Sequence, residues 1–494
     1  MRVSARPAVY EINTAAWLER LGRGRGRPLE LSEIPGSEWD VLAALPVDAV
    51  WLMGVWQRSP AGRAIALAHP SLQAPYRAAL PDLLDDDVLG SPYCVRDYVV
   101  DERFGGPGGL ALAREQLADR GLALILDYVP NHVAADHPWA TDRPLCLLTG
   151  SAEELARYPE AFIAIAGGVF AKGRDPYFEP WQDVLQLNAY SPALRDAAAE
   201  TVIAIGDQCD GLRCDMAMLM TNEVFARTWG ERAGPAPEYE YWPTLIARAK
   251  QAHPDLLFIA EAYWDMEWAL QQQGFDLCYD KRLYDRLVHD SPESLRGHVQ
   301  ADASYQASLI RFIENHDEPR AAATFGAAQA RAAAVVMSTL QGARLYHDGQ
   351  LDGLRTRLPV QLGRAPDEPP DGDLRAFYGR LLRGVADAQL RNGDWRRCEC
   401  ERWSDDDDSH RQLVAWCWSS SDARHLVVVN LSPARATGRV RLPWVDLGGR
   451  AWSLADRLSG ERFARSGDEL AGGGLYVALE AWEPHFLIVE AEPG

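Results

Sequence analysis

Close cysteine pairs are almost missing from this 494-residue sequence. Its eight cysteines form no C-x-x-C, and the one close pair is the C-x-C at Cys398 and Cys400. A zinc ribbon or a thioredoxin-like redox motif is therefore not expected. Several cysteines sit inside apolar runs and read as buried free thiols. No stretch reaches the roughly 18 apolar residues that a membrane span needs. The opening residues, MRVSARPAVYEIN, contain no apolar core of a secretory signal. These absences predict a soluble protein in a reducing, cytoplasmic setting. Positive charge is also scarce: 50 Lys and Arg face 71 Asp and Glu, for a net charge of −21. That argues against nucleic acid or an anionic membrane surface as partner and suits a neutral substrate. The sequence leaves the oligomeric state open.

Short apolar runs alternate with amphipathic segments over most of the chain. Eight runs read as strands: AVYEIN (Ala8–Asn13), AVWLMG (Ala49–Gly54), LALILDYV (Leu122–Val129), GLRCD ending at Asp215, LLFIAE ending at Glu261, FDLCYD ending at Asp280, LIRFIE ending at Glu314 and ARLYHD ending at Asp348. Helical patterns separate many of them; one opens with Ser191 as N-cap and Pro192 at its first position. Strands alternating with helices indicate a parallel sheet. Eight such units predict an α/β chain, a (β/α)8 TIM barrel with an insertion after the third strand. A doubly wound open sheet is the alternative, but no G-x-G-x-x-G turn follows the first strand.

The rhythm breaks twice. Residues 134–183 form a long excursion with little clean period, and long loops are usually functional. From 397 onward, alternating runs such as RQLVAWCWSS and ARHLVVVNLS predict a C-terminal antiparallel β-sandwich domain. The expected organisation is a barrel over 1–133 and 184–396, an inserted subdomain over 134–183 and a β domain over 397–494. The acidic run Asp405 to Asp408 reads as a solvated tip between strands rather than a calcium loop.

In a parallel barrel, function gathers at the C-terminal ends of the strands. The third strand carries Asp127, with Asn131 and His132 just beyond. The fourth carries Arg213 and ends in Asp215. The fifth ends in Glu261, and the seventh leads into His316 and Asp317. Carboxylates at three strand ends could bind a divalent metal or act on a glycosidic bond. No H-x-H or H-E-x-x-H is present, and a cation at Arg213 opposes a second cation beside Asp215. Arg213 suits a carboxylate held ionised as a nucleophile. The apolar LLFIA before Glu261 predicts an apolar neighbourhood that raises its pKa toward that of a general acid.

These segments resemble the motifs of the α-amylase family of retaining glycoside hydrolases (glycoside hydrolase family 13). LDYVPNH (Leu126–His132), DGLRCD (Asp210–Asp215), FIAEAYWD (Phe258–Asp265) and FIENHDEPR (Phe312–Arg320) match four family motifs in order. SPYCVRDYVVDERFGG (Ser91–Gly106) resembles the segment before the third strand. The resemblance spans about residues 8 to 490. It implies Asp215 as nucleophile, Glu261 as acid and base, and Asp317 as the carboxylate that grips sugar hydroxyls and distorts the ring. Arg213 would orient Asp215. His132 and His316 would donate hydrogen bonds to the sugar, Tyr93 would stack on it, and Asp97 would brace that wall.

Other readings stand beside these. Asp127 reads as a bracing carboxylate or a substrate contact. Trp264, Tyr263 and Trp181 line acceptor subsites or belong to the core. Tyr279 to Lys281 and Gln350 read as packing. The expected activity is retaining hydrolysis of α-1,4-glucans or malto-oligosaccharides. An α-glucanotransferase of the same mechanism and a non-catalytic glucan-binding protein are the alternatives, and a metal-dependent hydrolase is the outsider.

Two departures bear on calcium. Many family members carry a lysine–histidine pair three and four positions after the nucleophile, where this chain has Met218 and Leu219. Gln186 stands where many have a calcium-binding aspartate. No cofactor is expected to be required; Asn131 is the one candidate ligand should calcium bind.

Overall fold

All eight apolar runs become parallel strands of a closed barrel in a computed structural model, which describes residues 3–386, 390, 393–420 and 423–492. Residues 1–2, 387–389, 391–392, 421–422 and 493–494, which belong to the ranges expected for the barrel and the C-terminal domain, lie outside the described residues. The strands are β1 (Ala8–Asn13), β2 (Ala49–Met53), β3 (Ala123–Tyr128), β4 (Gly211–Cys214), β5 (Leu257–Ala260), β6 (Leu277–Tyr279), β7 (Leu309–Arg311) and β8 (Ala343–His347). Their order around the sheet is β1-β8-β7-β6-β5-β4-β3-β2. Every residue of each is buried, as expected where a parallel sheet is covered on both faces.

Serine–proline pairs open three helices, Pro60–Ala68, Pro192–Gly206 and Pro292–Val299. In each, the serine hydroxyl accepts a first-turn N–H and proline occupies a position whose N–H has no helical partner.

The excursion after β3 is closed at its base. His132–Ala134 pairs antiparallel with Val184–Gln186, setting His132 opposite Gln186. Phe162–Ile165 and Gly168–Ala171 form a hairpin within it.

Contacts divide the chain into two compact units, Met1–Tyr279 with Thr356–Asp367, and Asp280–Arg355 with Glu368–Gly494. The first unit carries β1 to β6 and the excursion. The second carries β7, β8, the helix Gly326–Thr339 and two antiparallel C-terminal sheets. The six-stranded sheet runs Asp394–Cys398, Leu413–Ser419, Arg424–Asn430, Pro484–Ala491, Ala451–Asp456, Arg462–Ser466. The three-stranded sheet is Cys400–Glu401, Ala436–Val440, Leu475–Leu479. Leu413, Leu426, Val428, Val440, Leu454 and Leu479 share one core of this β-sandwich. The acidic run Asp405 to Asp408 lies between strands, where Asp407 Oδ1 accepts from Ser409 N at 2.7 Å.

The second unit is tied together at one carbonyl. The indole N–H groups of Trp416 and Trp418 both donate to Thr339 O, at 3.1 and 2.8 Å. Both rings are fully buried, so they contribute apolar area as well as the hydrogen bond. Trp418→Ala is expected to lower unfolding free energy by about 3–5 kcal/mol, and Trp418→Phe by only about 1 kcal/mol. Denaturant unfolding of the two variants checks the difference.

Candidate active site

One guanidinium organises the candidate site in the first unit. Arg213 lies on β4, and Asp215 follows that strand on the same side. Arg213 Nη1 donates to Asp215 Oδ1 at 2.6 Å. Its Nη2 stands 2.8 Å from Glu261 Oε2, an ionic approach without hydrogen-bond geometry. Its Nε donates to the Tyr279 hydroxyl at 3.3 Å. The guanidinium carbon also lies 5.2 Å from the ring centre of Tyr93, 5.3 Å from Trp51 and 5.6 Å from Tyr279, within reach of cation–π attraction. Burial alone would lower this guanidinium. Glu261, Tyr93, Tyr279 and Asp215 outweigh it and hold the group well above its ordinary value.

Glu261 is buried, but its carboxylate meets donors rather than the apolar surroundings expected from the run before it. Met216 N donates to Oε2 at 2.6 Å, and the Tyr263 hydroxyl donates to Oε1 at 2.9 Å. The apolar residues that precede Glu261 are strand residues packed into the barrel, and the side chain itself points at the turn after β4. Met216 reaches it by adopting φ 42° and ψ 48°, a left-handed conformation that costs a non-glycine residue about 1–2 kcal/mol. Trp264 and Asp265 are left-handed in succession, with φ of 61° and 62°. Such strain gathers where surrounding structure overdetermines a loop, often at functional sites. The turn sets the Trp264 ring 4.8 Å from Tyr177 of the excursion, with Arg227 over both rings.

Asp127 is a brace. Its Oδ2 accepts from Gly54 N at 2.9 Å, while the Asp127 carbonyl accepts from the Trp56 indole at 2.8 Å. Gly54 has φ +77°, and a Cβ there would stand 2.7 Å from Pro92, so this position after β2 requires glycine. Asp97 sits opposite Gln57 in a short antiparallel pair.

His132 opens the ladder at the base of the excursion and packs against Trp181 at 5.1 Å. Asn131 beside it is engaged by Gln186, whose Nε2 donates to Asn131 Oδ1 at 2.8 Å, Asn131 O at 2.9 Å and Leu187 O at 3.0 Å. Both oxygens that Asn131 could offer a calcium ion are thus already accepting hydrogen bonds, and the residues present do not fit the ion. Met218 and Leu219 are buried.

In the second unit, His316 Nε2 lies 3.0 Å from Asp317 Oδ2. Asn315 Oδ1 accepts from the backbone N–H groups of Asp317 and Glu318 at 2.9 and 2.8 Å, which fixes this turn. Beneath it, Glu314 pairs with Arg320 at 2.6 Å and with His347 at 3.3 Å. Lys281 lies 3.4 Å from Glu318. Gln350 is scaffold: it donates to the Tyr378 hydroxyl at 3.0 Å.

The structure therefore brings Asp215, Glu261, Arg213 and Tyr93 together, with Trp264 three residues beyond Glu261. Sequence reasoning does not single out Met216, which acts through its backbone. It names Tyr263, Tyr279 and Gln186, but not for the hydroxyl and amide contacts that they make here. Tyr263 had a usable signal, since it lies two positions from Glu261 after a strand.

Two buried histidines make stability depend on pH. Burial lowers both His132 and His137 to about 4. In the unfolded chain each takes up a proton near pH 6.5, so below that value the unfolded state binds more protons. Stability is complete above about pH 6.5 and is lost as pH falls toward about 4, by on the order of 3 kcal/mol for each ring. Urea unfolding across this interval should show the decline, and His137→Gln should remove roughly half of it.

No protein-family model matches this chain. It is 26% identical over 443 residues to α-amylase MalA of Haloarcula japonica, covering 87% of this chain and 55% of that protein. The chain spans about half the length of the curated relatives it matches. Among solved structures, the α-amylase of H. orenii superposes with a TM-score of 0.69 at 16% identity, covering 99% of this chain and 100% of that one. The α-amylase of Geobacillus thermoleovorans, solved with acarbose, gives 0.67 at 16% identity over 100% of both chains. The motifs, the closed barrel and these relatives agree in likening the chain to the α-amylase family.

Proposed function

We propose that this protein is a retaining enzyme acting on α-1,4-glucans or malto-oligosaccharides, with hydrolysis as its main outcome. The observation that carries this reading is the single buried guanidinium of Arg213 facing two carboxylates, Asp215 at 2.6 Å and Glu261 at 2.8 Å. One positive charge cannot compensate two buried negative ones, and such a site favours keeping one proton. The reading assigns that proton to Glu261 and the anion to Asp215.

In the first step the Asp215 carboxylate attacks the anomeric carbon as the bond to the leaving oxygen breaks. Glu261 gives its proton to that oxygen. A β-linked glycosyl ester on Asp215 results. In the second step Glu261, now a base, takes a proton from water, whose oxygen attacks the same carbon and frees Asp215. Arg213 supports the Asp215 anion that leaves and returns. His132, His316, Tyr93 and Asp317 are assigned to the sugar being cleaved, and Asp127 to bracing its floor.

A second sugar in place of water makes the same enzyme a transglucosylase. The edge-to-face pair of Trp264 and Tyr177 with Arg227, on the turn that follows Glu261, favours some of this, because aromatic faces hold sugar rings. The acidic surface supports a neutral substrate rather than nucleic acid. All eight cysteines are free, which supports a reducing, cytoplasmic setting. Among the described residues, no helix is long and apolar enough to cross a membrane.

Maltotriose digestion followed by proton NMR is the test. The sugar released first should be the α-anomer, and β-anomer appearing first would refute retention. Products longer than maltotriose would mark the transfer branch. Glu261→Gln should slow maltotriose cleavage about 10²–10⁴-fold. It should spare the first step on α-glucosyl fluoride, whose leaving group needs no proton. Asp215→Asn should abolish turnover of both.

A further inference from the structure

We propose that a cavity in the second unit, lined by Trp482, holds a sugar ring, a terminal glucose unit of an α-glucan chain, in addition to the site assigned to cleavage. The cavity has a volume of about 260 Å³. That is just under the roughly 300–1,000 Å³ of small-molecule sites and suits one ring rather than a longer stretch of chain. All of its lining residues lie in the second unit, and none belongs to the turn of His316 and Asp317.

Trp482 is held in a strained turn. Glu483 N donates to Glu480 O at 3.1 Å, closing a turn in which Trp482 is the third residue, with φ 58°. A left-handed third residue belongs to a type II turn, which favours glycine or asparagine there. A tryptophan is strained in that conformation. Its ring is half-buried, and among the described residues it meets no other aromatic ring and its indole N–H has no hydrogen-bond partner. Trp416 and Trp418 of the same unit are the opposite, fully buried and hydrogen-bonded. No aromatic contact and no indole hydrogen bond within the chain offsets the strain at Trp482.

Trp482 N donates to Ser432 O at 3.1 Å, which ties the turn to the segment carrying Leu431. Leu431 lines the cavity with Leu287, Leu295 and Ala333, an apolar floor. Other lining residues keep polar atoms unused. Arg286 Nη1 donates to Arg282 O at 3.1 Å, while its Nη2 is neither buried nor hydrogen-bonded. Gln329 Nε2 donates to Leu287 O at 3.1 Å, and its Oε1 is open in the same way. Asp290 accepts from Ser294 Oγ at 2.8 Å through Oδ2 and keeps Oδ1 free.

This mixture selects the class of ligand. A hydroxyl both donates and accepts, so a sugar can satisfy the indole and guanidinium N–H groups as well as the amide oxygen and the carboxylate. Its C–H face covers indole and apolar floor. A phosphate would meet the Asp290 carboxylate, and a hydrocarbon would strip water from polar atoms without replacing it. The choice of glucose rests on the substrate proposed above.

Calorimetric titration with maltoheptaose is the test, on full-length chains carrying Asp215→Asn so that the sugar stays uncut. Two binding sites per chain are expected. Adding Trp482→Gly should remove one of them or weaken it at least about tenfold, because the ring is lost while the strain is released. In the wild-type background, Trp482→Gly should unfold at no lower temperature and should leave kcat and KM for maltotriose unchanged. Equal binding with and without Trp482 overturns the inference. A fall of many degrees in unfolding temperature overturns it as well, because the ring would then be a packing element. Maltoheptaose binding that Trp482→Gly abolishes, in a protein whose wild type does not cleave maltotriose, would refute the proposed reaction and leave this site standing.

Discussion

Arg213 is fully buried with its charge intact, and the first unit is arranged to make that possible. A buried guanidinium is costly unless it is paired and hydrogen-bonded. Here Asp215 and Glu261 supply opposite charge, Tyr279 accepts from Nε, and the rings of Trp51, Tyr93 and Tyr279 surround the group. These partners come from five places in the chain: β2, the loop after it, β4 and its turn, the end of β5, and β6. The barrel is what brings them within reach of one cation. The dependence runs both ways, because removing the arginine would leave two buried carboxylates facing each other.

The backbone accepts strain to complete this arrangement. Met216 turns left-handed so that its N–H meets Glu261, and Trp264 and Asp265 do so again three and four residues beyond that carboxylate. Gly54 performs the same task without strain and delivers its N–H to Asp127. All of these lie just past strand ends. Regular strand geometry stops there, and side chains can be aimed at a common point. The strands supply rigidity, and the irregular residues supply direction.

The excursion after β3 shows a second way of satisfying buried polar groups. A cluster of backbone and amide oxygens can be neutralised by an ion or by hydrogen-bond donors. Gln186 is a donor of the right length, reaching three oxygens from one nitrogen. The result is a neutral network next to His132, whose own ring is kept uncharged by burial.

The sequence by itself determined the barrel and the chemistry at its strand ends. Eight apolar runs alternating with helical patterns call for a parallel sheet covered on both faces, and the alternating runs after 397 require a different, antiparallel layer. Arg213 and Asp215, two positions apart, share a face by strand period alone. Periodicity could not reveal what surrounds each group. LLFIA suggested an apolar setting for Glu261, yet a strand's composition describes its own packing and not the environment of the side chain at its end. Tyr263, Met216 and Tyr279 act through a hydroxyl or a backbone N–H, which composition does not register. The pairing of Asn131 with Gln186 depends on two segments 55 residues apart being joined in a single ladder. Only the tertiary structure decided those contacts, because hydrogen bonds depend on distance and direction in space, and the chain's order constrains neither across such a separation.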